Sequence, residues 1–389
     1  MPEALRVGRR SLVKRTVGQG SPIWRMDGVL FAAMIALSVI GTLLVWSSTR
    51  TWISNEPTAL AKKHVLNLCV GLVLYFVVAM ADYRWLRTYA PVVYGVAILM
   101  LLLVITPMGS TINGHHSWIM VGGGFAVQPA ELVKPALIVM MARLLARHTE
   151  GKKKDRPRPL DVALCLAAAG VAAALVMLQP DLGTTMVLMV ITGGVIVFAG
   201  LRKRWIALAL VAAVACGSAV WSLGLMKPYQ VARFTALINP ASDPRGVGYN
   251  STQALVAIGS GELFGKGLFH GGQTTGRFVP EQHTDFIFTV AGEEFGFVGT
   301  VTVVALLGVV LMRGLRIARM CEDRFGALVA GGIVTWMGFQ TLVNVGMTIG
   351  IMPITGVPLP FVSYGGTAAF ANMASLGILQ AIHIRERWT

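Results

Sequence analysis

Residues 284–312 read TDFIFTVAGEEFGFVGTVTVVALLGVVLM, an apolar run whose only charges are Asp285, Glu293 and Glu294. A bilayer-crossing helix needs about 20 such residues, so the stretch reads as a membrane span. An acid within a span must face protein or water and not lipid. Pro280 precedes the run, Thr284 can cap it, and Asp285 falls in the first turn, where the helix dipole favours a carboxylate, so capping alone is one reading of Asp285. Glu293 lies eight residues on, near the same face, whereas Glu294 is rotated from it by about 100°. Flanked by Glu281 and His283 at a helix start, Asp285 is well placed to act as a general base.

The rest of the chain has the same character. Its 389 residues are 55% hydrophobic and 13% charged, with a mean hydropathy of +0.67. These values exclude an ordinary soluble domain and indicate an all-α, polytopic integral membrane protein. About ten spans are expected, near residues 27–48, 65–81, 89–107, 129–147, 160–178, 184–200, 205–224, 284–312, 325–348 and 363–383. Only LQPDLGT divides the fifth from the sixth, so nine spans and a re-entrant piece is the alternative count. Six tryptophans near proposed span ends fit the interfacial preference of that ring. The expected organisation is a basic cytoplasmic segment, 1–26, followed by one transmembrane domain, 27–389.

Charge gives the orientation. With the N-terminus in the cytoplasm, 24 of the 33 Lys and Arg residues fall in inside segments and eight in outside ones, with Lys134 left within a span. The positive-inside rule therefore favours ten spans with both termini cytoplasmic. It also accounts for the net charge of +15 without a nucleic-acid partner. KKKDRPR at 152–158 reads as a topology anchor on anionic lipid. The first 26 residues lack an apolar stretch separate from span one, so a cleaved signal peptide is not expected. The four cysteines show neither disulfide nor metal spacing.

Residues 225–283, between spans seven and eight, form an extracellular loop far longer than a usual connection, which points to function on the outer side. Within it, STQALVAIGSGELFGKGLF has a helical, amphipathic look. Glu131 and Lys134, three apart and on one face of span four, form either a buried pair that fixes packing or the lining of a polar cavity. Asp181 in QPDLGTT caps a helix or meets substrate. GVPLPFVSYGG at 356–366 is either a re-entrant segment lining a cavity or a rigid turn.

PEQHTDFIFTVAGEEFGF at 280–297 resembles the signature of the SEDS family (shape, elongation, division and sporulation), typified by RodA and FtsW. NGHHSW (113–118), QPAELVK (128–134), QPDLGT (179–184), NPASDPRGVGYNSTQALVAIGSGELFGKGL (239–268) and PLPFVSYGG (358–366) extend the similarity in family order. The resemblance implies a multi-pass enzyme of the bacterial cytoplasmic membrane that polymerises lipid II into peptidoglycan strands on the outer face. Asp285 would be the base that activates the acceptor sugar hydroxyl, with inversion at the donor and undecaprenyl pyrophosphate leaving. Glu131 and Lys134 match the family's polar pair, and Arg233, Lys266 and Arg277 are further outer-side cations available to the pyrophosphate. His283 and Thr284 flank the base. A divalent cation such as Mg or Mn could assist, although no ligand cluster has recognisable metal spacing.

Two departures stand out. The arginine often found before Trp118 is replaced by Ser117, preceded by His115 and His116, and Ala130 stands where serine is commoner. Ile354, Thr355 and Gly356 before VPLPF place the chain nearer the elongation-type branch than the division type. The resemblance further implies a class B penicillin-binding protein as partner. The rival reading is a lipid II flippase or ion-coupled lipid transporter, because intramembrane charges also mark translocation paths.

Overall fold

In the computed structural model the described residues are 25–51, 56–112, 115–122, 125–147, 157–201, 218, 222, 224, 228–239, 243 and 246–386. Most of the proposed basic segment 1–26, almost all of span 205–224 and the cations 152–156 lie outside them.

Seven described helices are long and apolar enough to cross a membrane: α1 (Gly28–Thr49), α2 (Ala59–Met80), α3 (Arg84–Ile105), α5 (Pro159–Leu178), α10 (Ile287–Met320), α11 (Arg324–Thr348) and α12 (Gly366–Glu386). Two more occupy expected span positions. Helix α4 (Pro129–Ala146) carries Glu131, Lys134 and Arg143, and α6 (Leu182–Phe198) is a shorter apolar helix. The long loop contributes α7 (Pro228–Ile238), α8 (Val247–Ser260) and α9 (Gly272–Gly276).

The fold is mostly helical, as expected, and the loop between α3 and α4 adds a small sheet. Strands β1 (Gly109–Ile112), β2 (His115–Gly122) and β3 (Phe125–Val127) form an antiparallel sheet in the order β1-β2-β3. Ser110 pairs with Trp118, and Ile119 with both Gly109 and Val127. Asn113-Gly114 and Gly123-Gly124 in the sequence are the turn signals for such short strands.

Side-chain caps fix several helix starts. Asp27 accepts from the N–H groups of Val29 and Leu30 at the start of α1. The same carboxylate meets Arg313 of α10 at 2.6 Å, and the Asp27 main chain exchanges two hydrogen bonds with the Gln380 side chain of α12. One capping residue thus joins three helices. Asp323 caps α11 through Gly326 N–H.

Helix α4 runs through the interior, with Glu131, Lys134 and most of its apolar residues buried against α3, α5, α6 and α11. Helices α2 and α12 pack along each other, and α10 lies against α1 and α11.

Two interruptions shape the site. Helix α10 is broken at Gly296, whose φ is 65°. A Cβ there would lie 2.3 Å from the Gly265 nitrogen, so only glycine fits. The peptide groups freed by the break are taken up by the preceding loop. Lys266 and Gly267 donate N–H groups to the carbonyls of Glu293 and Glu294, while Phe297 and Val298 donate to those of Glu262 and Leu263. The second interruption is the non-helical segment 350–365 between α11 and α12, much of it buried. Irregular backbone at such a place is tolerated where protein or an aqueous cavity satisfies it.

Candidate active site

A cavity of about 360 Å³ opens where the sheet, the start of α6, helix α7, the turn before α10 and the segment 354–358 meet. Its charged lining comes from Asp181, Arg233, Glu281 and Asp285, with Trp118 and Tyr364 among the aromatic walls.

Asp285 does not sit in the first turn of a regular helix. The chain turns from Pro280 to Phe286 and α10 begins at Ile287, with Phe286 as an uncapped N-cap. Thr284 therefore does not cap: its hydroxyl donates to the Glu281 carbonyl at 3.1 Å. The turn closes through bonds from the N–H groups of Thr284, Asp285 and Phe286 to that same carbonyl. It carries Asp285 to the cavity wall while Phe286 and Ile287 enter the core.

The Asp285 carboxyl keeps partial access to the cavity. Its pKa is pushed up from 3.8 to about 7, mainly by desolvation and then by the charge of Glu281, with Asp181 adding a smaller push. Arg233 pulls the other way. A carboxyl that titrates near neutrality is poised to take a proton and give it back. Arg233 also donates to the Thr355 carbonyl at 3.4 Å, which holds its guanidinium beside the segment opposite Asp285. Asp181 caps α6 through Thr184 N–H at 2.9 Å and lines the cavity too, so it combines both roles open to it.

The remaining expected site residues lie off this lining. Lys134 pairs with Glu131 at 2.6 Å inside the bundle, both side chains buried. Lys134 Nζ reaches Gln340 Oε1 at 3.5 Å and lies 5.2 Å from the Trp336 ring centroid. Gln340 Nε2 donates to the carbonyl of Pro358, a cavity residue, at 2.7 Å. The pair thus stands one side chain behind the wall.

His283 is buried, with its ring 5.5 Å from that of Tyr364 and its carbonyl accepting Tyr364 N–H. Burial drops its pKa to about 4, so it is neutral at physiological pH. Lys266 is held by Glu293 at 3.1 Å. That carboxylate also accepts from Gln273 N–H, Thr274 N–H and the Thr274 hydroxyl. Arg277 donates to Thr51 at the end of α1. Both cations therefore fasten the long loop to neighbouring elements. Glu294 does similar work, accepting from the Ser47 hydroxyl and from Phe269 N–H.

Gln340 and Asn344 emerge as site-supporting residues from the structure. Their signal is two amides four residues apart on one face of a largely apolar helix. Among the described residues, no group of three or more His, Cys, Asp and Glu side chains is placed to hold a metal ion.

Comparison with known proteins identifies the family. The family described as Cell cycle protein (FTSW_RODA_SPOVE) matches residues 28–388. Peptidoglycan glycosyltransferase MrdB of Escherichia coli K12 is 36% identical over 363 residues, covering 93% of this chain and 94% of that protein.

Two solved structures are similar along almost their whole length. One chain belongs to the structure described as "Structural coordination of polymerization and crosslinking by a peptidoglycan synthase complex", with a TM-score of 0.78, 31% identity, and 94% and 99% of the two chains covered. The other is the rod shape determining protein RodA of Thermus thermophilus, with a TM-score of 0.68, 30% identity, and 94% and 98% covered. A family match from the first residue of α1 to beyond the end of α12, over a bundle that supports an acid-lined cavity at one end, places this chain in the FtsW/RodA/SpoVE, or SEDS, family of integral membrane proteins.

Proposed function

We propose that this chain is an inverting peptidoglycan glycosyltransferase of the elongation branch that polymerises lipid II, with Asp285 as general base. The observation that carries this reading is the Asp285 carboxyl on the wall of a cavity that Arg233 also lines. An alcohol becomes a competent nucleophile when a positioned base removes its proton as it attacks. The acceptor sugar hydroxyl gives its proton to Asp285 while its oxygen forms a bond to the donor's anomeric carbon from the face opposite the leaving group. The bond from that carbon to undecaprenyl pyrophosphate breaks with its electron pair. Arg233 is the cavity's cation for the charge that develops on the phosphate.

Glu131 and Lys134 act from behind the wall, through Gln340. Lys266, Arg277 and His283 hold the outer loop and the Asp285 turn in place. The name of the rod shape determining protein RodA supports the elongation branch. Similarity to a chain of a peptidoglycan synthase complex supports a class B penicillin-binding protein as transpeptidase partner. Both termini are cytoplasmic in this proposal, and the cavity opens to the outer face.

The test is purified protein with lipid II. Glycan chains form with the wild type, and Asp285→Ala lowers the rate at least about 10²-fold, the contribution expected of a general base. Movement of labelled lipid across vesicles without polymer would favour the flippase instead.

A further inference from the structure

Asn344 lies on α11 one turn beyond Gln340 and is fully buried. Its Nδ2 donates twice, to the main-chain carbonyls of Asp285 and Val357, each at 2.8 Å. Two carbonyls facing the amide decide which end is nitrogen, since the flipped side chain would set oxygen against oxygen. Oδ1 is then left buried without a hydrogen-bond partner. Such an orphan acceptor is unfavourable, and the two donated bonds offset part of that cost.

The two bridged carbonyls belong to the turn that carries Asp285 and to the segment that follows Gly356. Val357 follows Gly356, whose φ is 74° and where an added Cβ would lie 3.3 Å from Asp285 Oδ2. We propose that Asn344 is a positioning residue for the general base: by tying the Asp285 and Val357 main chains together, it sets the spacing between the carboxylate and the Gly356 wall and so the direction in which the carboxylate meets the sugar hydroxyl. The inference rests on the reading of Asp285 given above. A displaced base loses rate steeply, because proton transfer and attack need aligned partners.

The charged groups acting on the Asp285 carboxyl are Glu281 of its own turn, Arg233 of α7 and Asp181 at the start of α6. Loosening the wall admits water to a carboxyl now raised mainly by desolvation, so its pKa falls.

The experiment compares full-length wild type, Asp285→Ala, Asn344→Leu and Asn344→Ser in detergent or nanodiscs, using lipid II and the monodisperse folded fraction of each. Asn344→Leu is expected to lower kcat about 10-fold or more with KM changed less than twofold, and to move the acid limb of the pH–rate profile to lower pH. Asn344→Ser, which keeps one donor, falls between the two. A folded Asn344→Leu with wild-type kcat and an unmoved acid limb overturns the assignment. Where leucine is not tolerated, the serine variant with those same properties overturns it equally. Loss of yield and thermal stability at full specific activity makes Asn344 a packing residue only. Failure of Asp285→Ala to reduce polymerisation would instead remove the reading on which the inference stands.

Discussion

The carboxyl of Asp285 ties activity to acidity in a defined direction. A base works only when deprotonated, so the rate of polymerisation is expected to rise with pH through a limb near 7, set by the raised pKa. Arg233→Gln removes the group that lowers this pKa, and the limb should move to higher pH. Glu281→Gln removes a group that raises it, and the limb should move down. Initial rates measured from pH 5.5 to 8.5 check both.

Stability follows the same residue. The folded protein keeps a proton on Asp285 that the unfolded chain releases above pH 3.8, so this group's stabilising contribution is complete below that pH and lost as pH rises through about 7. Asp285→Asn has no such slope. Its melting temperature should gain on the wild type between pH 5 and pH 8.

That Asp285 is a candidate was legible from its surroundings, because a carboxyl bordering an apolar run is costly to keep unless it has polar work to do, and the structure sets it on the cavity wall. The turn that presents it was not legible. Thr284 looks like a cap, yet its hydroxyl goes to the Glu281 carbonyl, a local competition that one-dimensional patterning does not resolve.

At the level of elements, apolar runs of span length correspond to nine helices among the described residues, seven of them long and apolar enough to cross a membrane, while the small sheet escaped because strands of three to eight residues leave a weak pattern between strong ones. The roles of Lys266 and Arg277 were equally hidden. Charge and side of the membrane made them candidates for phosphate, and only folding shows that Glu293 and Thr51 engage them.

The break in α10 is the element most open to attack by substitution. Gly296→Ala would place a methyl group in the space of the Gly265 nitrogen and force alanine to a positive φ. A loss of several degrees in melting temperature, with activity falling alongside, is expected. A differential scanning measurement on detergent-solubilised protein reads it.

The buried pair on α4 predicts a different pattern. Lys134→Met alone strands the Glu131 carboxylate and should destabilise by about 3–5 kcal/mol, whereas Lys134→Met with Glu131→Gln should recover most of that loss. Thermal unfolding of the single and double variants distinguishes this coupling from two independent effects.

For the whole molecule, the proposed orientation is directly measurable. In a cysteine-free background, a new cysteine at Glu262, in the outer loop, should react with a membrane-impermeant thiol reagent added to intact spheroplasts. One at Glu322, between α10 and α11, should react only after permeabilisation. The opposite pattern would invert the topology and place the cavity in the cytoplasm.

The repair at Gly296 also bears on how the chain is made. Residues 262–267 precede α10 in the sequence, so they emerge from the ribosome before the helix whose gap they complete. In the proposed topology they have already crossed to the far side when α10 enters the bilayer. In that topology the partners of the exposed peptide groups are already synthesised when the incomplete span arrives, which shortens the time those groups spend unpaired in hydrocarbon.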